Sequence, residues 1–345
     1  MNSRITYIAL ILIVLTSLSC RKDVSIPVDC CSNPNQVSCS GMTYNNFSTD
    51  DFEQIIKPVD NPGAVIGPFI FDNFKYSVGG AIMSPTDPYL IAYGKSDSGS
   101  TSITGELWTF DFCDGKSELV TTNAIDRLDW STKNWLLYTG TGYEVYKVKS
   151  NGDSLTQLTN GSGTQLAGKW SPDGTKFWVE GQDAFKILDE NGSSIIEYPG
   201  LPNFDAIDWL DNEHLLIVDY NTDIFSSFNF LTSDIVQLSG GPICHSCQKI
   251  YDSKNQRVFV GQENGGGGFD WYIFNLENGS SSVIENLDAS FHYYAGDYVE
   301  KTDKLSLVLR RMEWKDSVQN EIYSRDDLLI MNPDGSGKRL VQLPH

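Results

Sequence analysis

The chain has 345 residues and a formal net charge of −20 at pH 7, with 45 acidic residues against 25 Lys and Arg. That length suits one large domain or two ordinary ones, with ample core in either case. Phosphate backbones are gripped by clustered Lys and Arg, and no such patch is visible, so nucleic acid is not an expected partner.

The N-terminus carries one positive charge at Arg4, an apolar run from Ile8 to Leu15, and small residues leading to Cys20. This pattern reads as a secretory leader, and the run is too short to span a bilayer. Because it ends on Cys20, it resembles the leader of bacterial lipoproteins. That resemblance implies removal of residues 1–19 and acylation of the Cys20 thiol, although Ser17 stands where the class prefers Leu. Acyl chains hold a protein at a membrane by burying methylenes, with no spanning helix. Residues 20–42, rich in Ser, Asn, Pro and Asp, read as a lipid-anchored tether. Residues 43–78 form an N-terminal extension, in which Pro68-Phe-Ile-Phe71 offers a clasping strand.

Six cysteines remain after Cys20, an even number that suggests disulfides in an exported chain. Cys244-His245-Ser246-Cys247 has the spacing of a local disulfide, a redox pair or half a zinc site. No second ligand pair accompanies it, so Cys244 and Cys247 are read as structural disulfide candidates.

From residue 79 to 345 the sequence repeats every ~40 residues, a propeller signature. One phase is a strand ending on a bulky marker before a turn: Met83, Trp130, Trp170, Trp209, Tyr251 and Tyr298, at intervals of 47, 40, 39, 42 and 47. An apolar strand follows each. A second hairpin then recurs, turning at Gly115, Gly152, Gly192, Gly279 and Gly335; the fourth copy, at Leu231-Thr232, lacks the Gly. Asp-Gly and Asn-Gly between alternating apolar runs are strong hairpin signals. The expectation is an all-β fold, a six-bladed β-propeller of four-stranded antiparallel blades. Such a sheet cannot bury both faces alone, and radial stacking supplies the missing cover. The markers are expected to pack between blades.

Gly168-Lys169-Trp170-Ser-Pro-Asp-Gly174 and Met331-Asn-Pro-Asp-Gly335 resemble the WD40-like Pro-Asp repeat of TolB-type propellers. The resemblance covers residues 79–344 and implies a six-bladed fold. It does not carry a transport role, because propellers host many functions. TolB has an α/β domain before its blades, for which residues 43–77 are too few.

In that family the blade strands run A to D from the axis outward, and the B–C and D–A connections leave one face. Long B–C loops are expected in blade one (Gly94 to Gly105), blade five (Gly261 to Asp270) and blade six (Arg310 to Asp327). These blades are neighbours on a closed ring, so the loops form one arc. His245, His292, Tyr293 and Tyr294 are expected in D–A loops on the same side, flanked by Trp271 and Trp314. Aromatic anchors favour interfaces, so these six are the candidate partner-binding residues. The channel mouth is expected near Asp126, Asp129, Lys169, Asp205, Asp208 and Asp297. Of these, Asp129, Asp208 and Asp297 are the candidate metal ligands should Ca²⁺ bind. Solvated carboxylates and no cofactor are the plainer expectation.

Neither Gly-x-Ser-x-Gly nor His-Glu-x-x-His occurs. The functional expectation is a non-catalytic, monomeric binding or scaffold lipoprotein of the bacterial envelope. It would be lipid-anchored at the outer membrane, facing periplasm or cell surface, and would recognise a protein or glycan. The alternative is a metal-dependent propeller hydrolase or lactonase using the channel carboxylates.

Overall fold

The computed structural model describes residues 76–343, apart from 88–89, 98–104, 112–115, 162, 201–202, 223, 240–246, 264–268, 285–291, 317–320 and 342. The leader, Cys20, the tether and Pro68–Phe71 lie outside the described residues. Every element described is a β-strand, and neighbouring strands pair antiparallel.

The first blade comprises β1 (Tyr76–Met83), β2 (Leu90–Asp97), β3 (Gly105–Asp111) and the first half of β4 (Lys116–Trp130). The second takes the rest of β4, then β5 (Trp135–Gly140), β6 (Glu144–Lys149) and β7 (Thr156–Gln157). The third is β8 (Gln165–Trp170), β9 (Lys176–Gly181), β10 (Ala184–Asp189) and β11 (Ser194–Pro199). The fourth is β12 (Phe204–Trp209), β13 (His214–Asp219), β14 (Ile224–Asn229) and β15 (Ile235–Ser239). The fifth is β16 (Gln248–Asp252), β17 (Arg257–Glu263), β18 (Phe269–Asn275) and β19 (Ser281–Val283). The sixth is β20 (His292–Val299), β21 (Lys304–Asp316), β22 (Glu321–Met331) and β23 (Arg339–Val341).

The last four blades are separate four-stranded sheets. The first two merge into one seven-stranded sheet, because β4 pairs β3 through Lys116–Ala124 and β5 through Ala124–Trp130.

Local chemistry explains the reversals. Gly152, Gly192, Gly279 and Gly335 turn at φ +85°, +85°, +67° and +82°, a region that L side chains avoid. In the fourth blade Ser233 holds the corresponding place at φ +65°. Its N–H donates to the Asn229 carbonyl at 2.8 Å, as that of Gly279 does to Asn275 at 2.9 Å.

Packing follows the repeat. The buried residues fall into six clusters, and each cluster joins two adjacent blades and contains one marker. Trp130 packs back on blade one, Trp170 on blade two, Trp209 on blade three, Tyr251 on blade four and Tyr298 on blade five. Met83, Ile91 and Tyr93 of blade one meet Val308, Leu328 and Ile330 of blade six, which closes the ring. Lys301 Nζ of blade six also donates to the Thr86 carbonyl of blade one at 2.7 Å, and no strand is shared across the seam among the described residues. Each buried marker contributes ~1.5–3 kcal/mol of apolar burial.

One expectation is corrected. The segment from Arg310 to Asp327 is not a loop but a β-hairpin. The β21–β22 ladder continues past Leu309↔Asp327 through Arg310↔Asp326, Met312↔Ser324 and Trp314↔Ile322 to Asp316↔Glu321. The physical reason is that the segment contains no Gly or Pro to interrupt pairing. Seven residues beyond Leu309 carry β21 outward by ~20 Å, at ~3.3 Å per residue.

Candidate functional site: a charged cluster on the ring axis

The inner strands do not pair evenly with their neighbours. Register breaks fall between Asp126 and Leu128, Ala167 and Trp170, Ala206 and Asp208, and Tyr294 and Asp297. A bulge adds an unpaired residue and re-aims the side chains beside it. In these four blades the breaks lie beside the position just before the marker: Asp129, Lys169, Asp208 and Asp297; in blade one the break falls earlier, between Val78 and Gly80. Blade five has no break, and its equivalent, Ile250, is buried against blade six. Glycine makes two of the bulges possible. A Cβ on Gly168 would lie 2.0 Å from Trp178 Nε1, and one on Gly296 would lie 1.7 Å from the Ser306 carbonyl oxygen.

Three of these charged side chains meet, and Asp129 lies near enough to feel their charge. Lys169 Nζ donates to Asp208 Oδ2 at 2.5 Å and lies 3.9 Å from Asp297 Oδ1. Blades three and six face each other across a six-membered ring, so this contact crosses the axis. Asp129 Oδ2 accepts the Trp170 N–H at 2.7 Å, and the Lys169 carbonyl accepts Trp209 Nε1–H at 2.9 Å, tying adjacent blades together.

Lys169, Asp208 and Asp297 keep only a fifth to a quarter of their side-chain surface exposed. Burial pushes the Asp129 carboxyl up to about 7, against the pull of Lys169. Burial likewise lifts Asp297 to about 6, with Lys169 opposing and Asp208 adding to the rise. For Lys169 burial works downward, but the attraction of Asp208, Asp297 and Asp129 wins and holds the ammonium above its ordinary range. The ammonium is therefore charged at neutral pH, and the carboxylates around it share a narrow supply of solvation.

Closer to the face where B–C and D–A connections leave, two further ion pairs join neighbouring blades. Arg127 meets Glu180 at 2.9 Å, and Lys249 meets Asp205 at 2.7 Å. Lys249 Nζ also donates to the Cys247 carbonyl at 3.0 Å. Burial raises Glu180 above the usual carboxylate range, against the opposing Arg127 charge. Sequence reasoning named Asp205 but missed Arg127, Glu180 and Lys249. They stand at no common offset from the markers, because the bulges differ from blade to blade.

Among the described residues no three His, Cys, Asp or Glu side chains converge as a metal-binding set. Lys169 takes the space beside Asp208 and Asp297 that a cation coordinated by both would need. Calcium requires six to eight oxygens. With Lys169 in place, Asp129, Asp208 and Asp297 do not fit that ion.

The expected partner-binding residues separate. Trp271 is corrected: it is 1% exposed, in the core between blades five and six. The cause lies across the ladder, where Trp271 pairs with Gly261. A Cβ on Gly261 would come within 2.6 Å of the indole ring, so the missing side chain makes room for it. His292, Tyr293 and Tyr294 stand in β20, opposite Arg310, Leu309 and Val308, and not in a D–A loop. Trp314 stands in the projecting part of β21. Cys244 and His245 lie outside the described residues. Cys247 is buried and disulfide-bonded.

No protein-family model matches the chain, and no curated protein does. Solved structures do. A TolB-type structure from Agrobacterium tumefaciens matches at 15% identity and a TM-score of 0.45, over 65% of this chain and 83% of that one. TolB from Acinetobacter baumannii matches at 14% identity and 0.36; the match covers 77% of this chain and 54% of that one. An acylaminoacyl peptidase from Pyrococcus horikoshii matches at 11% identity and 0.49, over 78% of this chain and 46% of that one. At these identities the likeness concerns the fold alone, an arrangement of antiparallel four-stranded sheets.

Proposed function

We propose that the chain is a non-catalytic binding or scaffold protein of the bacterial envelope. The leader would export it and a lipid on Cys20 would anchor it at the outer membrane. A protein or glycan partner would dock on the face where the B–C and D–A connections leave. One observation carries the reading: the β21–β22 ladder runs to Asp316↔Glu321, well past the ends of the B and C strands in blades two to four. A paired hairpin standing off a propeller face would offer a partner backbone already ordered by its ladder. The axis supports the same reading, because Lys169 spends the charge of the carboxylates that a metal-dependent hydrolase would use.

The test replaces residues 310–327 with an Asn-Gly turn between Leu309 and Leu328, followed by cross-linking capture from the native envelope. Loss of a specific cross-linked partner, with circular dichroism unchanged, is the expected result. An unchanged partner set overturns the docking face. Calorimetric titration of the full-length chain with Ca²⁺ should give no binding heat; metal-dependent hydrolysis of a lactone would overturn the non-catalytic reading. Incorporated palmitate label should disappear in Cys20→Ser.

A further inference from the structure

The outer edges of the blades are not alike. Blades two, five and six end in strands of two or three residues, β7, β19 and β23, and the outer strand of blade one runs on into blade two. Blades three and four end in β11 and β15, six and five residues long, each paired on one side only among the described residues. Exposed edges are ordinarily short, charged or covered. Yet apolar side chains stand exposed on both: Ile195 of β11 at 45%, and Ile235 and Val236 of β15 at 48% and 61%.

Between the two edges lies a cleft of about 280 Å³. Tyr198 of β11, Phe204 of β12, Phe228 of β14 and Ile235 of β15 wall it, and Asp219 lies among its lining. The walls are fixed. The Phe228 ring packs against Tyr198 and Phe204 at centroid distances of 5.5 and 5.0 Å, and the Tyr198 hydroxyl donates to the Phe230 carbonyl. The surrounding charge is acidic. Glu197 stands within β11 and Asp234 just before β15, and the nearby Lys186 is already engaged by Glu197 at 3.5 Å.

We propose that this rim is a docking site for an extended segment of a partner protein, with apolar and basic residues alternating, which adds as a fifth strand along β15. Unpaired backbone groups of the edge supply the main-chain hydrogen bonds, and the cleft takes one apolar side chain. The basic residues answer the acidic rim and the −20 charge of the chain. That same charge opposes edge-to-edge pairing of two copies. The site lies on blades three and four, across the ring from the blade-six hairpin, and does not depend on the docking face proposed above.

The probe is the capped heptapeptide Lys-Val-Lys-Val-Lys-Val-Lys, titrated calorimetrically into the full-length chain in detergent micelles. Saturable binding is expected, with slowed amide exchange over residues 235–239. Ile235→Lys, at a half-exposed position, should weaken binding by about tenfold or more with an unchanged circular dichroism spectrum. Glu197→Lys should weaken it as well. Equal affinity for a Lys-Gly peptide of the same charge would reduce the effect to electrostatics and overturn the proposal. So would unprotected β15 amides, binding indifferent to Ile235→Lys, or a dimer of the chain that Ile235→Lys converts to monomer. Chitohexaose binding abolished by Ile235→Lys would assign the cleft to a glycan and overturn it too.

Discussion

Lys169 on blade three lies 3.9 Å from Asp297 on blade six, so one ammonium links strands from opposite sides of the ring. Lys169→Met removes that charge and leaves Asp129, Asp208 and Asp297 facing one another. Breaking a buried pair costs about 3–5 kcal/mol, and partial exposure places this case near about 3 kcal/mol. Urea unfolding at pH 8 should show that loss. At pH 5 the loss should shrink, because Asp129 and Asp297 then take up protons. Equal losses at both pH values would contradict the account.

The two raised carboxyls set a pH dependence of their own. Asp129 and Asp297 titrate near 7 and 6 in the folded chain, against an ordinary value of 3.8. Between roughly pH 4 and 7 the folded state therefore holds more protons than the unfolded one, and stability falls as pH rises through that window. Asp129→Asn removes the larger share, while its amide oxygen still accepts the Trp170 N–H. The variant should melt above the parent at pH 8, with the gap closing by pH 5. Thermal scans in which the variant melts below the parent at pH 8 would refute this.

Ser233 turns at φ +65°, in the place where the equivalent hairpins of the other described blades have Gly. A left-handed L residue costs about 1–2 kcal/mol, offset in part by the greater unfolded-chain entropy of Gly. Ser233→Gly should stabilise the fold by about 1 kcal/mol, read as a rise in Tm of about 2 °C. An unchanged or lower Tm would show that the turn relaxes by another route.

Gly168 and Gly94 make a controlled pair. A Cβ at Gly168 would strike the Trp178 indole, whereas one at Gly94 meets nothing within 4 Å. Gly168→Ala should cost about 3 kcal/mol or more through overpacking, and Gly94→Ala should stay within about 0.5 kcal/mol. Denaturant midpoints decide it, and similar costs at both sites would remove steric necessity from the bulge.

Much of the fold was legible because its signals are local. The markers from Met83 to Tyr298 precede turns, and alternation around the Gly turns gives the strands. All six markers prove to be inter-blade packing residues. What escaped depends on register and closure. Trp271 reads as a surface aromatic until its pairing with Gly261 is known. Lys169 and Asp297 meet only after the ring has closed. Blade six's hairpin was taken for a loop because polar residues fill it, yet backbone pairing tolerates polar side chains.

β4 gives the two joints flanking blade one opposite mechanical characters. Toward blade two, one continuous strand, bulged between Ala124 and Leu128, passes from one sheet into the next. Toward blade six, among the described residues, packed apolar side chains and the Lys301–Thr86 hydrogen bond hold the joint. Any breathing that widens the ring would therefore part blade one from blade six more readily than from blade two.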